Sequence, residues 1–224
     1  DLEAAVAGGI AGIFAATGQT CIAGSRLLVH ESIYDDYLER FVGLAKKTRM
    51  GDPMDLTTQV GPVTTKPQYE RILSYIDIAK SEGARCVLGG APAERPECGN
   101  GWFVEPTVFA DVDNKMRIAQ GEVFGPVVSV IPFKNDDEAY QLANDTAYGL
   151  TAGLWTSDLG RGHRVSQQIK AGIVWVNTYR YIRWSTPYGG FKASGWGREN
   201  GLEAMDDYLE TRCTVISTTG TFPD

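Results

Sequence analysis

Histidine is nearly absent from this sequence: His30 and His163 are the only two in 224 residues. His30 closes an apolar stretch and His163 stands between Gly162 and Arg164, so both read as surface or capping residues. A zinc centre or a Cys/His pair would have little to draw on, and no metal site is expected. Cysteine is sparse as well. Cys21, Cys86, Cys98 and Cys213 fall at no metal-ligand spacing and are too few for a disulfide scaffold at this length, which predicts reduced thiols and a cytoplasmic setting. Basic charge is in deficit, with 21 Lys and Arg against 28 Asp and Glu and a net charge of −7. Nucleic acid and anionic membrane surfaces both call for clustered cations, so neither is expected as a partner. No apolar run reaches the roughly 20 residues of a membrane span. The opening Asp1-Leu2-Glu3 carries two acids and no basic segment of the kind that starts a secretory signal. It also lacks an initiator methionine, and a piece of a longer protein is the expectation.

With 43% hydrophobic and 22% charged residues, the chain has enough apolar material for a sizeable core. Leu2, Val6, Ile10 and Ile13 recur at helical spacing among Ala and Gly, and Gly18 stops the pattern. Residues 26–30 read as a short strand. Ser32 with Asp35 resembles a capping box ahead of an amphipathic helix bearing Tyr37, Leu38, Phe41 and Ala45. Pro67 suits the first turn of another helix, with a stripe of Tyr69, Ile72, Leu73, Ile76 and Ala79 that Gly83 ends. Strands are expected at 84–88, 127–133, 150–156 and 173–177, and helices at 136–144 and 159–169. Pro106 marks the extended stretch 102–109 as an edge or a bulge. Strands alternating with helices predict an α/β fold with a largely parallel twisted sheet flanked by helices. A short helix is expected at 202–207, and residues 208–216 alternate weakly as a last strand that needs a sheet to join.

Three runs carry chemistry. In Gly18-Gln19-Thr20-Cys21 a cysteine ends a small-residue segment, where backbone can crowd a reacting carbon. A thiol attacks as thiolate, so a nucleophilic Cys21 needs a base or an environment that favours its charge; the other reading is a small buried hydrophobe. In Glu122-Val123-Phe124-Gly125-Pro126 a carboxylate stands two residues from an aromatic ring, a pair able to accept from sugar hydroxyls and to lie beside a flat heterocycle. The alternative is a loop acid and a core Phe. The run from Pro187 through Tyr188-Gly189-Gly190 to Glu199 is too rich in glycine for a stable helix and suggests backbone wrapped tightly around something.

Together and in this order, the three runs resemble the aldehyde dehydrogenase superfamily. Asn144 with Tyr148-Gly149-Leu150, and Val174-Trp175-Val176-Asn177, add to the likeness, which extends over essentially the whole chain. The resemblance implies an aldehyde dehydrogenase-like catalytic domain over residues 1–205 and a C-terminal strand and tail, 206–224, that pairs with another subunit of a homo-oligomer. It implies that Cys21 attacks an aldehyde, giving a thiohemiacetal that yields hydride to NAD or NADP and leaves a thioester. Glu122 and Phe124 would meet the cofactor, and Thr20, Asn177 and Trp184 would line the substrate pocket.

The family sets its dinucleotide-binding domain and general-base glutamate ahead of the catalytic domain. Neither is found here: Gly195-Trp196-Gly197 follows no strand and the next glycine is Gly201, so the dinucleotide fingerprint fails. The isolated chain is therefore expected to turn over aldehyde poorly. Two other readings stand beside this one, a cysteine-dependent esterase or acyl-transfer domain and a non-catalytic interaction fragment.

Overall fold

The computed structural model describes residues 1–218 and 220. Helix α1 (Leu2–Phe14) starts at Asp1, whose carboxylate accepts from the Ala4 amide, and packs on α2 (Tyr34–Ala45). The capping box does not form. The Ser32 hydroxyl and amide both engage Nδ1 of His30, the chain turns once over Glu31–Ile33, and α2 begins without a side-chain cap. Helix α3 (Lys66–Ser81) follows its sequence signals: Thr65 caps the Gln68 amide and Pro67 sits in the first turn.

Four strands, β1 (Arg26–His30), β2 (Arg85–Leu88), β3 (Thr107–Ala110) and β4 (Val127–Phe133), make one sheet in the order β1-β4-β3-β2. All its pairings are parallel except that of the edge strand β2. Pro106 lies just ahead of β3, an interior strand whose four residues are all buried, and the irregularity of register falls instead on its partner, between Cys86 and Leu88. A proline outside the ladder removes no ladder donor, which is why the stretch need not be an edge.

Strand β4 shows why this sheet is stable. Its side chains alternate between faces, Val128 and Val130 entering a cluster with Val6, Ile13, Phe14, Tyr37 and Phe41, and Val127 and Ile131 entering a second with Ile72, Ile76, Phe109 and Ile118. Helices α1 and α2 supply the first layer, and α3 with the short α4 (Arg117–Gln120) the second. Phe41 and Phe109 are fully buried, and truncating either to Ala should remove about 3–5 kcal/mol.

The remaining elements are α5 (Asp136–Asn144), β5 (Tyr148–Gly149), β6 (Thr151–Leu154), α6 (Leu159–Gln168), β7 (Ile173–Val176) and β8 (Phe191–Lys192). Parallel β6 and β7 form one small sheet, antiparallel β5 and β8 another. Near the C-terminus the expected helix is a 3-10 turn, Glu203–Tyr208. Residues 209–216 form no strand. They pair with no ladder among the described residues, and Leu209, Val215 and Ile216 stay exposed. An extended segment becomes a strand only when a neighbouring edge takes its amides and carbonyls. The rest of the expected tail, residues 219 and 221–224, lies outside the described residues.

Candidate functional site

Helix α1 stops at Phe14, and the next turn bends the wrong way for L-residues. Ala16 (φ 53°, ψ 31°), Thr17 (φ 59°, ψ 28°) and Gly18 (φ 67°) are all left-handed. Each non-glycine residue held so costs on the order of 1 kcal/mol, and the surroundings must compensate. They do so through side chains. Buried Thr17 donates from Oγ1 to the Gly61 carbonyl at 3.1 Å. The Gln19 amide donates to the Pro62 carbonyl at 3.2 Å and accepts from the Thr64 amide and hydroxyl at 2.9 Å each. The turn delivers Cys21 to the surface while its neighbour Ile22 is buried. Of the other thiols, Cys213 is exposed, Cys86 partly covered and Cys98 buried, and burial pushes the Cys98 thiol above its ordinary value.

The glycines of α1 allow close approach of other segments. They make room for rings: a side-chain carbon at Gly8 would lie 2.1 Å from Trp155, and one at Gly12 would lie 3.2 Å from Tyr179. Tyr179 stands between Trp155 (centroids 6.1 Å) and Trp175 (4.9 Å), and its hydroxyl donates to the Ile22 carbonyl at 3.0 Å. Arg180 donates to the Ala15 carbonyl at 3.2 Å. The segment after β7 is thus a clamp on the cysteine turn.

The second run packs against the same turn. A carbon added at Gly18 would sit 2.0 Å from the Gly125 carbonyl oxygen, so backbone meets backbone there and only glycine fits. From α3, Gln68 donates to the carbonyls of Val123 (2.9 Å) and Phe124 (3.0 Å), and Arg71 to that of Glu122 (3.1 Å). Phe124 is itself left-handed, at φ 56°. A cleft of about 1210 Å³ has Thr20, Cys21, Glu122, Phe124 and Gly125 in its wall. The Glu122 side chain is exposed and has no partner among the described residues, and the buried Thr20 hydroxyl oxygen has none either. A free carboxylate acceptor and an aromatic ring on a fixed loop fit the ribose and nicotinamide of a dinucleotide.

Tyr188, which sequence reasoning passed over, meets the cysteine: its hydroxyl is 3.0 Å from the Cys21 sulfur. The signal for it was its place between Pro187 and Gly189-Gly190 in the third run. That run wraps chiefly around chain, its own and the stretch before β7. A carbon at Gly189 would meet the Gly197 carbonyl oxygen at 2.3 Å, one at Gly172 would meet the Gly189 carbonyl oxygen at 1.7 Å, and Tyr188 pairs with Glu199 through both backbone groups. Asn177 and Trp184 are not brought to the cleft. Both ends of the Asn177 amide bind the backbone of Thr156 at 2.8 Å, which ties the end of β7 to the chain leaving β6. Trp184 is 85% exposed.

Eight non-glycine residues among those described have positive φ. Seven of them, Ala16, Thr17, Phe124, Asn177, Arg180, Lys192 and Asn200, stand in or beside the runs singled out from sequence, and only Asp111 does not. Backbone strain concentrates where a fold is shaped for function.

Residues 1–214 match the aldehyde dehydrogenase family. A betaine aldehyde dehydrogenase from Brucella anthropi is 44% identical over 216 residues, 96% of this chain and 44% of that protein. Among solved structures, a betaine aldehyde dehydrogenase point mutant from Staphylococcus aureus, in complex with NAD+ and with a BME-modified cysteine, superposes with a TM-score of 0.93 at 42% identity, over 95% of this chain and 43% of that one. An aldehyde dehydrogenase mutant from Bacillus cereus gives a TM-score of 0.90 at 44% identity, over 94% of this chain and 42% of that one. The chain therefore spans less than half the length of these relatives. With a match over nearly its full length, the chain belongs to the aldehyde dehydrogenase family.

Proposed function

We propose that this chain carries the nucleophile of an NAD(P)-dependent aldehyde dehydrogenase, with Cys21 as that nucleophile. The reading rests on one juxtaposition: an exposed thiol on a strained turn, locked backbone to backbone onto the loop that bears Glu122 and Phe124. The Cys21 thiolate adds to the aldehyde carbon, forming the sulfur–carbon bond while the carbonyl electron pair moves to oxygen. The Cys21 amide donates to no acceptor among the described residues and is free to stabilise that oxyanion. A bound NAD(P) supplies the hydride acceptor for the carbon–hydrogen bond. As the oxygen pair returns, Cys21 is left as a thioester; water then adds, the acid departs, one proton is lost to solvent and the thiolate is restored. Glu122 would accept from the ribose hydroxyls and Phe124 would flank the nicotinamide side of a bound cofactor. The NAD+ complex and the modified cysteine of the S. aureus relative are consistent with both assignments.

The test uses the protein to which this chain belongs. Cys21→Ser should lower aldehyde-dependent NADH formation by about 10³-fold or more, as loss of a covalent nucleophile does; a variant with the parent rate rules the assignment out. Since the 224 residues cover less than half of the relatives' length, on their own they should form little NADH. Ester hydrolysis by this chain without nicotinamide, lost in Cys21→Ser, would instead favour the acyl-transfer reading.

A further inference from the structure

A thiolate must be stabilised by something, and the arginines of the two segments that reach the cysteine turn are engaged elsewhere. Arg180 is bound to the Ala15 carbonyl, and Arg198 to the carbonyls of Gly190, Trp196 and Gly197 and against the Phe191 ring. Glu122, the acid in the same cleft wall, would oppose negative charge on sulfur. Neither histidine bonds to the sulfur; the only hydrogen-bonding group at Cys21 Sγ among the described residues is the Tyr188 hydroxyl, at 3.0 Å. Once the sulfur is charged it can only accept, so the phenol must donate.

Its donor is held in place. Tyr188 is pinned by its amide and its carbonyl to Glu199 (2.6 and 2.7 Å), and the two glycines that follow are packed on Gly197 and Ser194, leaving its backbone little freedom. Desolvation, with a smaller contribution from the Cys21 contact, pushes the Tyr188 hydroxyl up to about 12, so it keeps its proton across the neutral range.

We propose that Tyr188 is a catalytic residue whose hydroxyl donates to the Cys21 sulfur, stabilising the attacking thiolate and aiming it into the cleft. This deepens the reading of Cys21 as nucleophile and rests on it. A hydrogen bond to a charged acceptor is strong enough to change the thiolate fraction about tenfold. The same bond damps intrinsic nucleophilicity about threefold, because reactivity falls with basicity at a slope near 0.4–0.5. Removing the hydroxyl therefore has opposite effects in two pH ranges.

The experiment compares iodoacetamide alkylation of Cys21 in the parent chain and in Tyr188→Phe from pH 6 to 11, read by peptide mapping, with exposed Cys213 as the internal reference. Tyr188→Phe should be about threefold slower than the parent near pH 7 and about threefold faster on the alkaline plateau, so that the two profiles cross. The midpoint of the Cys21 alkylation profile should move upward in Tyr188→Phe. Superimposed or parallel profiles with an unmoved midpoint would overturn the role of Tyr188 while leaving Cys21 as nucleophile. If another cysteine labels first in both proteins, the nucleophile assignment falls and the Tyr188 role falls with it. Labelling of buried Cys98 in Tyr188→Phe would reveal a folding defect, and Tyr188→Leu, also lacking the hydroxyl, then provides the comparison: a midpoint unmoved there overturns the proposal, and one moved upward supports it.

Discussion

Replacing Gly18 by Ala tests whether the cysteine turn and the Glu122 loop form one unit. Gly18 sits at φ 67° and its added carbon would lie 2.0 Å from the Gly125 carbonyl oxygen, whereas Gly83, at φ 91°, has nothing within 4 Å of an added carbon. Gly83→Ala therefore isolates the backbone term, about 1 kcal/mol for an L-residue in the left-handed region. Gly18→Ala carries the same term and must also move the two loops apart by about 1 Å to relieve the contact. That movement works against the Gln68 bonds to the Val123 and Phe124 carbonyls, each worth about 1 kcal/mol net. The sum is a loss of about 3 kcal/mol, which at this chain length lowers the melting temperature by roughly 9 °C, against about 3 °C for Gly83→Ala. Thermal unfolding followed by circular dichroism measures both. Gly18→Ala melting within about 2 °C of Gly83→Ala would show that the loops yield freely and are not locked together.

Two further outcomes follow from burial and exposure elsewhere. Desolvation raises the hydroxyls of Tyr34 (to about 12), Tyr37 and Tyr179. Since an unfolded tyrosine ionises near pH 10, the stability these groups contribute is intact below about pH 10 and declines as pH climbs toward 12. A melting temperature that stays level from pH 9 to pH 12 would contradict this, and Tyr34→Phe should make the alkaline decline shallower. We propose that the exposed Leu209, Val215 and Ile216 contact another subunit; deleting residues 209–224 should then shift the protein toward smaller species in light scattering, and an unchanged mass would overturn that proposal.

Most of the secondary structure could be read from the chain because it rests on local rules. The near-continuous apolar run of β4, the Pro67 helix start and the Tyr69-to-Ala79 stripe of α3 each depend on neighbours a few residues away. The capping box at Ser32 failed for a reason equally local, since His30 competed for the same hydroxyl and amide. The terminal strand depends on something distant: alternation describes a segment that could pair, and residues 209–216 meet no sheet edge among the described residues of this one chain.

The sequence alone determined which residue types stood ready for chemistry, and through its ordered runs it pointed to the family. Only the tertiary structure decided which of them meet. Cys21 and Tyr188 are 167 positions apart and join at 3.0 Å because Tyr179 and Arg180 clamp the segment leading into the third run onto the cysteine turn while Glu199 holds the Tyr188 backbone. Asn177, which looked equally suited to a site, is drawn off by the Thr156 backbone. Composition and spacing carry no record of such competition, because a side chain's partner is set by which groups the packed core brings within about 3 Å of it.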